Sequence, residues 1–258
     1  MRKTLTRVAL LVGLTGVCGV WTHSKAATAA TKTPVILELF TSEGCSSCPP
    51  ADRLLQSLDE KQPFAGADLV VLSEHVDYWN SGGWVDPYSL RSFSERQRWY
   101  AEQFGLESVY TPQVVVDGQR ETVGSNAVAI KNAVEAVTRS EKVALTISNA
   151  VRDGHRIKFH LTSADLKSEG AAAVYVALAE NKVQSNIAGG ENGGRSLTHV
   201  AVVRVLSPVG TVKAGDAFSK DVVIPLPSRL SGSGLRVVAF LQADKSHKIV
   251  GAAEELVN

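Results

Sequence analysis

Two cysteines three positions apart, Cys45 and Cys48, stand where a strand-like run gives way to a helix-like run, and this placement constrains the chain more than any other feature. Residues 34–41 (PVILELFT) are apolar, β-branched and of strand length. After Pro49-Pro50, residues 51–58 (ADRLLQSL) read as a helix with Leu54, Leu55 and Leu58 on one face. A structural disulfide gains most when it closes a long loop, so a bridge across two residues constrains little. The pair is better explained by exchange chemistry or metal binding. Zinc sites of this spacing usually need two further Cys or His at matching distance, and no second pair exists here. At a strand-to-helix turn the first cysteine can sit near a helix N-terminus, where N–H groups and the dipole favour thiolate. That thiolate attacks and the second cysteine resolves the mixed disulfide. Pro49 and Pro50 remove two N–H donors just after Cys48, which moves the start of the regular helix to the prolines and weakens the dipole argument for Cys45.

The third cysteine, Cys18, falls in a segment that reads as a signal peptide, residues 1–29. Arg2, Lys3 and Arg7 precede the mostly apolar residues 8–21, a run shorter than the ~20 needed to cross a bilayer, and Ala27-Thr28-Ala29 fits a cleavage site. The alternative is a short membrane anchor. The expectation is export, most simply to the periplasm, with no integral membrane segment in the mature chain. The formal charge of +1 rests on Arg2, Lys3, Arg7 and Lys25; without those four the 27 basic residues become 23 against 26 acidic, about −3. Nothing in that balance draws the chain to nucleic acid. The remaining two cysteines then stand three positions apart in an oxidising compartment.

Further along, residues 68–75 (DLVVLSEH) read as a second strand and residues 89–104 as a helix with a charged face. Tyr110-Thr111-Pro112 leads into a short strand, Asp117-Gly118 signals a hairpin turn, and residues 120–123 return. Ser125-Asn126 can cap a helix running to about Arg139. The order β-α-β-α-β-β-α is that of thioredoxin. From Lys142 long helical patterns stop, and short strand-like runs follow between turn signals such as Asp153-Gly154. The expected architecture is an α/β thioredoxin-like N-terminal domain, residues 30–141, followed by an all-β sandwich-like C-terminal domain, residues 142–258.

This order brings distant segments together. Parallel strands end at the same edge, so His75 and Asp77 should lie beside the cysteines. Thr111-Pro112 opens an antiparallel strand at that edge and matches a cis-proline facing the pair. Cys45, Cys48, His75 and Pro112 are the candidate catalytic residues. Thr111, Gln113, Asp77 and Trp79 are candidates for holding a substrate chain. His75 is a candidate for proton transfer, although a structural histidine is the simpler reading, and Trp79 could equally pack a loop onto the core. The glycine-rich residues 189–195 (GGENGGR) lack the strand-to-helix setting of a phosphate loop and read as a flexible connection; His199 and Arg204 flank the strand start after it.

The stretches LFTSEGCSSCPPAD, HVDYWN, GWVDPYS, RQRWYAEQFG and VYTPQVVVDG, with GGENGGRSLTHVAVVRVL later, resemble the secreted thioredoxin-like family known as domain of unknown function 1223. The resemblance implies that fold and a conserved cysteine pair, and little about substrate. Two departures from ordinary thioredoxin stand out: Gly44 rather than Trp precedes Cys45, and Leu39 stands near the place of the acidic residue behind the cysteines, with Glu38 beside it. The function expected is thiol–disulfide exchange with exported protein thiols or a redox donor protein, without a cofactor or bound metal. The alternatives are a Cu(I)-handling dithiol with His75 as third ligand, and a non-catalytic binding module on the same scaffold.

Overall fold

The computed structural model describes residues 32–167, 170–230 and 234–257. The signal-peptide expectation, with Cys18, lies outside the described residues. Residues Thr31–Asn258 form one compact unit.

The first half follows its hydrophobic pattern. Strand β1 (Thr33–Thr41) and strand β2 (Ala67–His75) pair in parallel, from Thr33 opposite Ala67 to Thr41 opposite His75. Helix α1 (Pro49–Lys61) crosses between them and buries Ala51, Leu55 and Leu58. Helix α2 (Arg91–Phe104) precedes strand β3 (Gln113–Val116), which runs antiparallel to β1. Asp117 and Gly118, both with positive φ, turn the chain into strand β4 (Arg120–Val123). Helix α3 (Ala127–Val137) is capped by Asn126, whose side chain accepts the Ala129 N–H at 3.0 Å.

The second half corrects the expected architecture. It consists of β5 (Leu145–Asp153), β6 (Arg156–Ser163), β7 (Ala171–Asn186), β8 (Ser196–Lys213), β9 (Ser219–Pro225), β10 (Leu235–Ala243) and β11 (Ile249–Leu256). Four of these do not enter a separate sandwich. They extend the first sheet into one mixed eight-stranded sheet of order β11-β10-β7-β8-β2-β1-β3-β4, and only β5, β6 and β9 form a second, three-stranded sheet. The chain is therefore mostly β, with eleven strands and three helices among the described residues, and not an α/β thioredoxin-like domain followed by an independent sandwich.

The physical reason lies in β2, which is buried on both faces from Leu69 to His75. Such a strand belongs inside a sheet, and its free edge needs cover. β8 supplies it, meeting β2 in parallel at Ser73 opposite Val202. Val71 faces the α1–α3 core with Leu37, Leu55, Val114 and Val134. Val70 and Leu72 face the other way, into a core shared with Phe93, Ala177, Val203 and Phe240. The small sheet packs its Ile147, Ile157, Phe159 and Ile224 against Val174, Val176 and Val237. Lys142, where the composition changes, is a joint: its ammonium donates to the Asp117 carboxylate and to the Ile249 carbonyl. The last strand, β11, gave no expectation because Gly251, Ala252 and Ala253 have low strand propensity.

Candidate functional site

β1 ends at Thr41, and the chain tightens at once. The Cys45 N–H donates to Ser42 O and the Cys48 N–H to Cys45 O, both at 3.2 Å. Cys45 and Cys48 are joined by a disulfide, with Cα atoms 5.4 Å apart. Helix α1 starts at Pro49 with Cys48 as N-cap, as the proline pair implies. Ser46 and Ser47 are exposed, whereas both cysteines are fully buried.

Three of the sequence-nominated residues converge on this turn. The Ser47 hydroxyl lies 3.3 Å from Cys45 Sγ and donates to the Thr111 carbonyl at 3.4 Å. The Thr111–Pro112 peptide bond is cis, and the Gly124 N–H donates to Pro112 O. Pro112 and Ala51 of α1 flank Gly124, where an added Cβ would lie 3.2 Å from each. The Trp79 indole N–H donates to Thr111 Oγ1 at 2.7 Å. Gly44 allows Trp79 this position: a Cβ there would stand 3.2 Å from both Trp79 Cβ and Trp79 O, tighter than ordinary contact.

His75 is buried at the end of β2, and its Nδ1 lies 2.7 Å from Asp86 Oδ2. The same oxygen accepts the Glu43 N–H at 2.8 Å, two residues before Cys45, and Asp86 Oδ1 accepts the Tyr88 N–H. Burial pushes the Asp86 carboxyl up, but the His75 ring and these N–H groups outweigh it and hold it below its ordinary value. His75 Nε2 has no hydrogen-bond partner among the described residues. His75 is thus linked to the cysteine turn through Asp86. Asp77 is used elsewhere: its carboxylate accepts the Ser94 hydroxyl, and its N–H donates to Ser94, fastening the loop to α2. Gln113 is buried in a network with Gln97 and Glu121.

A second layer is built around His199, which the sequence placed at a strand start without a partner. His199 of β8 packs edge-on against His75 with ring centroids 4.7 Å apart. It stands 3.5 Å from Glu43 Oε1 and 3.7 Å from Asp52 Oδ2, distances of ion pairs rather than full hydrogen bonds. Burial alone would lower its pKa; Asp52 and Glu43 override this and raise it to about 10, so the ring is an imidazolium at neutral pH. Asp52 also accepts the Thr41 hydroxyl, and Glu43 the Trp84 indole N–H, each at 2.8 Å. Asp52 was detectable as the residue four past Cys48, on the same side of α1. His199 carried no local signal, because its partners come from the other half of the chain.

The glycine-rich turn joining β7 to β8 is bonded to the backbone of the cysteine turn. The buried Asn192 side chain donates to Glu43 O at 2.8 Å and to Cys45 O at 2.9 Å. The exposed Glu191 carboxylate accepts the Ser46 N–H at 2.9 Å. Gly189 sits directly on Gly83: a Cβ at Gly189 would be 2.4 Å from Gly83 O. The turn read as a flexible connection is thus built against the site.

Residues 36–242 match the model of the family described as protein of unknown function DUF1223, and the chain belongs to that family. A crystal structure of a protein from Agrobacterium tumefaciens is similar, with 29% identity and a TM-score of 0.68, over 88% of this chain and 96% of that one. HBP35 of Porphyromonas gingivalis shares the fold at 16% identity and a TM-score of 0.59, over 88% of this chain and 76% of that one. Among curated proteins none matches significantly.

Proposed function

We propose that this protein exchanges electrons with protein thiols through the Cys45–Cys48 pair. The observation that carries the reading is the position of the disulfide: a bridge over two residues at the start of α1, with Ser47 between the two cysteines bonded to the carbonyl of Thr111, whose peptide bond to Pro112 is cis. A bond that closes so short a loop adds little to the fold, so its value lies in opening and closing. In the reduced form Cys45 is the attacking sulfur and Cys48 the resolving one; in the disulfide form Cys45 is the sulfur that a partner thiolate attacks. His75, held by Asp86, has one ring nitrogen free to carry a proton. Thr111 and Trp79 border the place a substrate chain would take, and Gln113 and Asp77 support the segments that carry them. The partners are exported protein thiols or a redox donor protein, and the compartment is the periplasm.

No helix among the described residues is long and apolar enough to cross a membrane. The Cu(I) reading draws no support from the geometry: no group of three or more His, Cys, Asp or Glu among the described residues is arranged to hold a metal ion, and His75 Nδ1 is engaged by Asp86.

The test is covalent capture. Cys48→Ser should accumulate a mixed disulfide, formed when the Cys45 thiolate attacks a partner disulfide and expels one of its sulfurs as thiolate, seen as a reductant-sensitive shift in mass, whereas Cys45→Ser should not. Absence of any adduct in both variants would end the exchange mechanism.

A further inference from the structure

Both cysteines are fully buried, and the β7–β8 turn is bonded to the backbone on either side of Cys45. Asn192 spends both amide hydrogens on the carbonyls of Glu43 and Cys45, while Glu191 takes the Ser46 N–H. A donor to one backbone carbonyl and an acceptor for the next N–H are what an extended polypeptide would offer to the same turn. The cover therefore occupies the cysteine turn as a substrate backbone would. It also holds its own shape: the Ile187 N–H donates to Arg195 O, the Gly194 N–H to Ile187 O, and Arg195 Nη1 to Asn192 Oδ1, at 2.8–2.9 Å. These bonds are internal to the turn and do not depend on the cysteine turn.

We infer that the β7–β8 turn is a gate on the disulfide, that Asn192 is its latch, and that the partner able to pass it is a cysteine-bearing polypeptide rather than a small free thiol. The inference rests on the exchange reading. A small thiol offers nothing to replace the bonds it must break when the cover leaves. A polypeptide replaces them with its own backbone. Its thiolate then attacks Cys45 Sγ, the Cys45–Cys48 bond breaks, and Cys48 leaves as thiolate and takes a proton. A second thiolate of the partner attacks the mixed disulfide, so the partner is oxidised to a disulfide and the Cys45–Cys48 pair is reduced by two electrons. Asn192 here is a positioning residue that decides access; it takes no part in the bond exchange.

The experiment compares second-order rates of reduction by dithiothreitol and by a reduced, unstructured two-cysteine peptide, on the full-length protein. Loss of one good hydrogen bond from the cover corresponds to roughly tenfold in its opening equilibrium. Asn192→Ala should raise the dithiothreitol rate about tenfold, Glu191→Ala, whose side chain is exposed and whose folding is safe, should raise it by less, and in both the peptide rate should rise less than the dithiothreitol rate, so the preference for peptide falls. Wild-type rates with dithiothreitol in both variants would overturn the gate and leave exchange standing. Failure of both reductants on all three proteins would overturn the gate and the exchange reading together.

Discussion

His199 faces Asp52 across 3.7 Å, joining the two halves of the chain through a buried charge directly behind the cysteine turn. A buried ion held between carboxylates is costly to remove from one side only. His199→Leu would leave Asp52 and Glu43 buried without their counter-charge, and breaking such a pair typically costs about 3–5 kcal/mol. Urea unfolding should show the loss as a lower midpoint with an unchanged slope. A variant within ~0.5 kcal/mol of wild type would show that the ring is not charged in place.

The same residue sets the alkaline limb of stability. His199 has its pKa raised to about 10 against an unfolded value near 6.5. Its contribution is therefore complete below about pH 6.5 and lost as pH rises through about 10. Asp86, held below its ordinary value, acts in the opposite sense: its contribution is present above the unfolded carboxylate value and lost as pH falls through the depressed one. Thermal unfolding across pH should give a maximum near or below pH 6.5 and a decline above it. His199→Leu should flatten that decline while keeping the acid limb.

Asp86 gathers the His75 ring, the Glu43 N–H and the Tyr88 N–H on one carboxylate. Asp86→Ala should leave these donors unpaired, at about 1–3 kcal/mol for a buried group. Because Glu43 precedes the disulfide by two residues, the Cys45–Cys48 bond should also reduce faster. Parallel measurement of the unfolding midpoint and the dithiothreitol rate checks both effects; a stability loss with an unaltered rate would show that His75 and Asp86 do not act on the turn.

Gly124 leaves no room for a methyl group. A Cβ there would come within 2.7 Å of Leu39 Cδ1 and 3.2 Å of both Ala51 and Pro112. Gly124→Ala should cost about 1–3 kcal/mol through overpacking, and the Pro112 segment should shift with it. Denaturant unfolding measures the first; amide shifts around Thr111 and Gln113 measure the second.

Local patterns made much of the first half legible. The apolar run at 34–41, the Asp117-Gly118 turn and the Asn126 cap each act within a few residues, and each element lies where those signals put it. The Thr111–Pro112 segment was also within reach, because strand order alone carries it to the cysteine edge. What could not be read was partnership across the chain. The run from Leu69 to Leu72 is apolar on both faces, which called for a neighbour on its free edge, but nothing in the residues 196–213 names them as that neighbour. Taking the loss of helical texture at Lys142 as a domain boundary then produced an independent sandwich where the strands rejoin the first sheet. Asn192 and His199 were obscured by the same step, since each works through residues of the other half.

The junction of Ser73 with Val202 carries a temporal consequence. A polypeptide emerging from its N-terminal end completes the cysteine turn long before β8 exists, so the sulfurs remain open to oxidants while the later strands are still being made. Once the β7–β8 hairpin docks, Asn192 is bonded to the Cys45 carbonyl and both cysteines are buried. The bond must therefore be made either early, on an unfinished molecule, or afterwards by an agent that can prise the hairpin tip away. A severed first half would keep its cysteines but lose both the shield and the strand that completes its sheet.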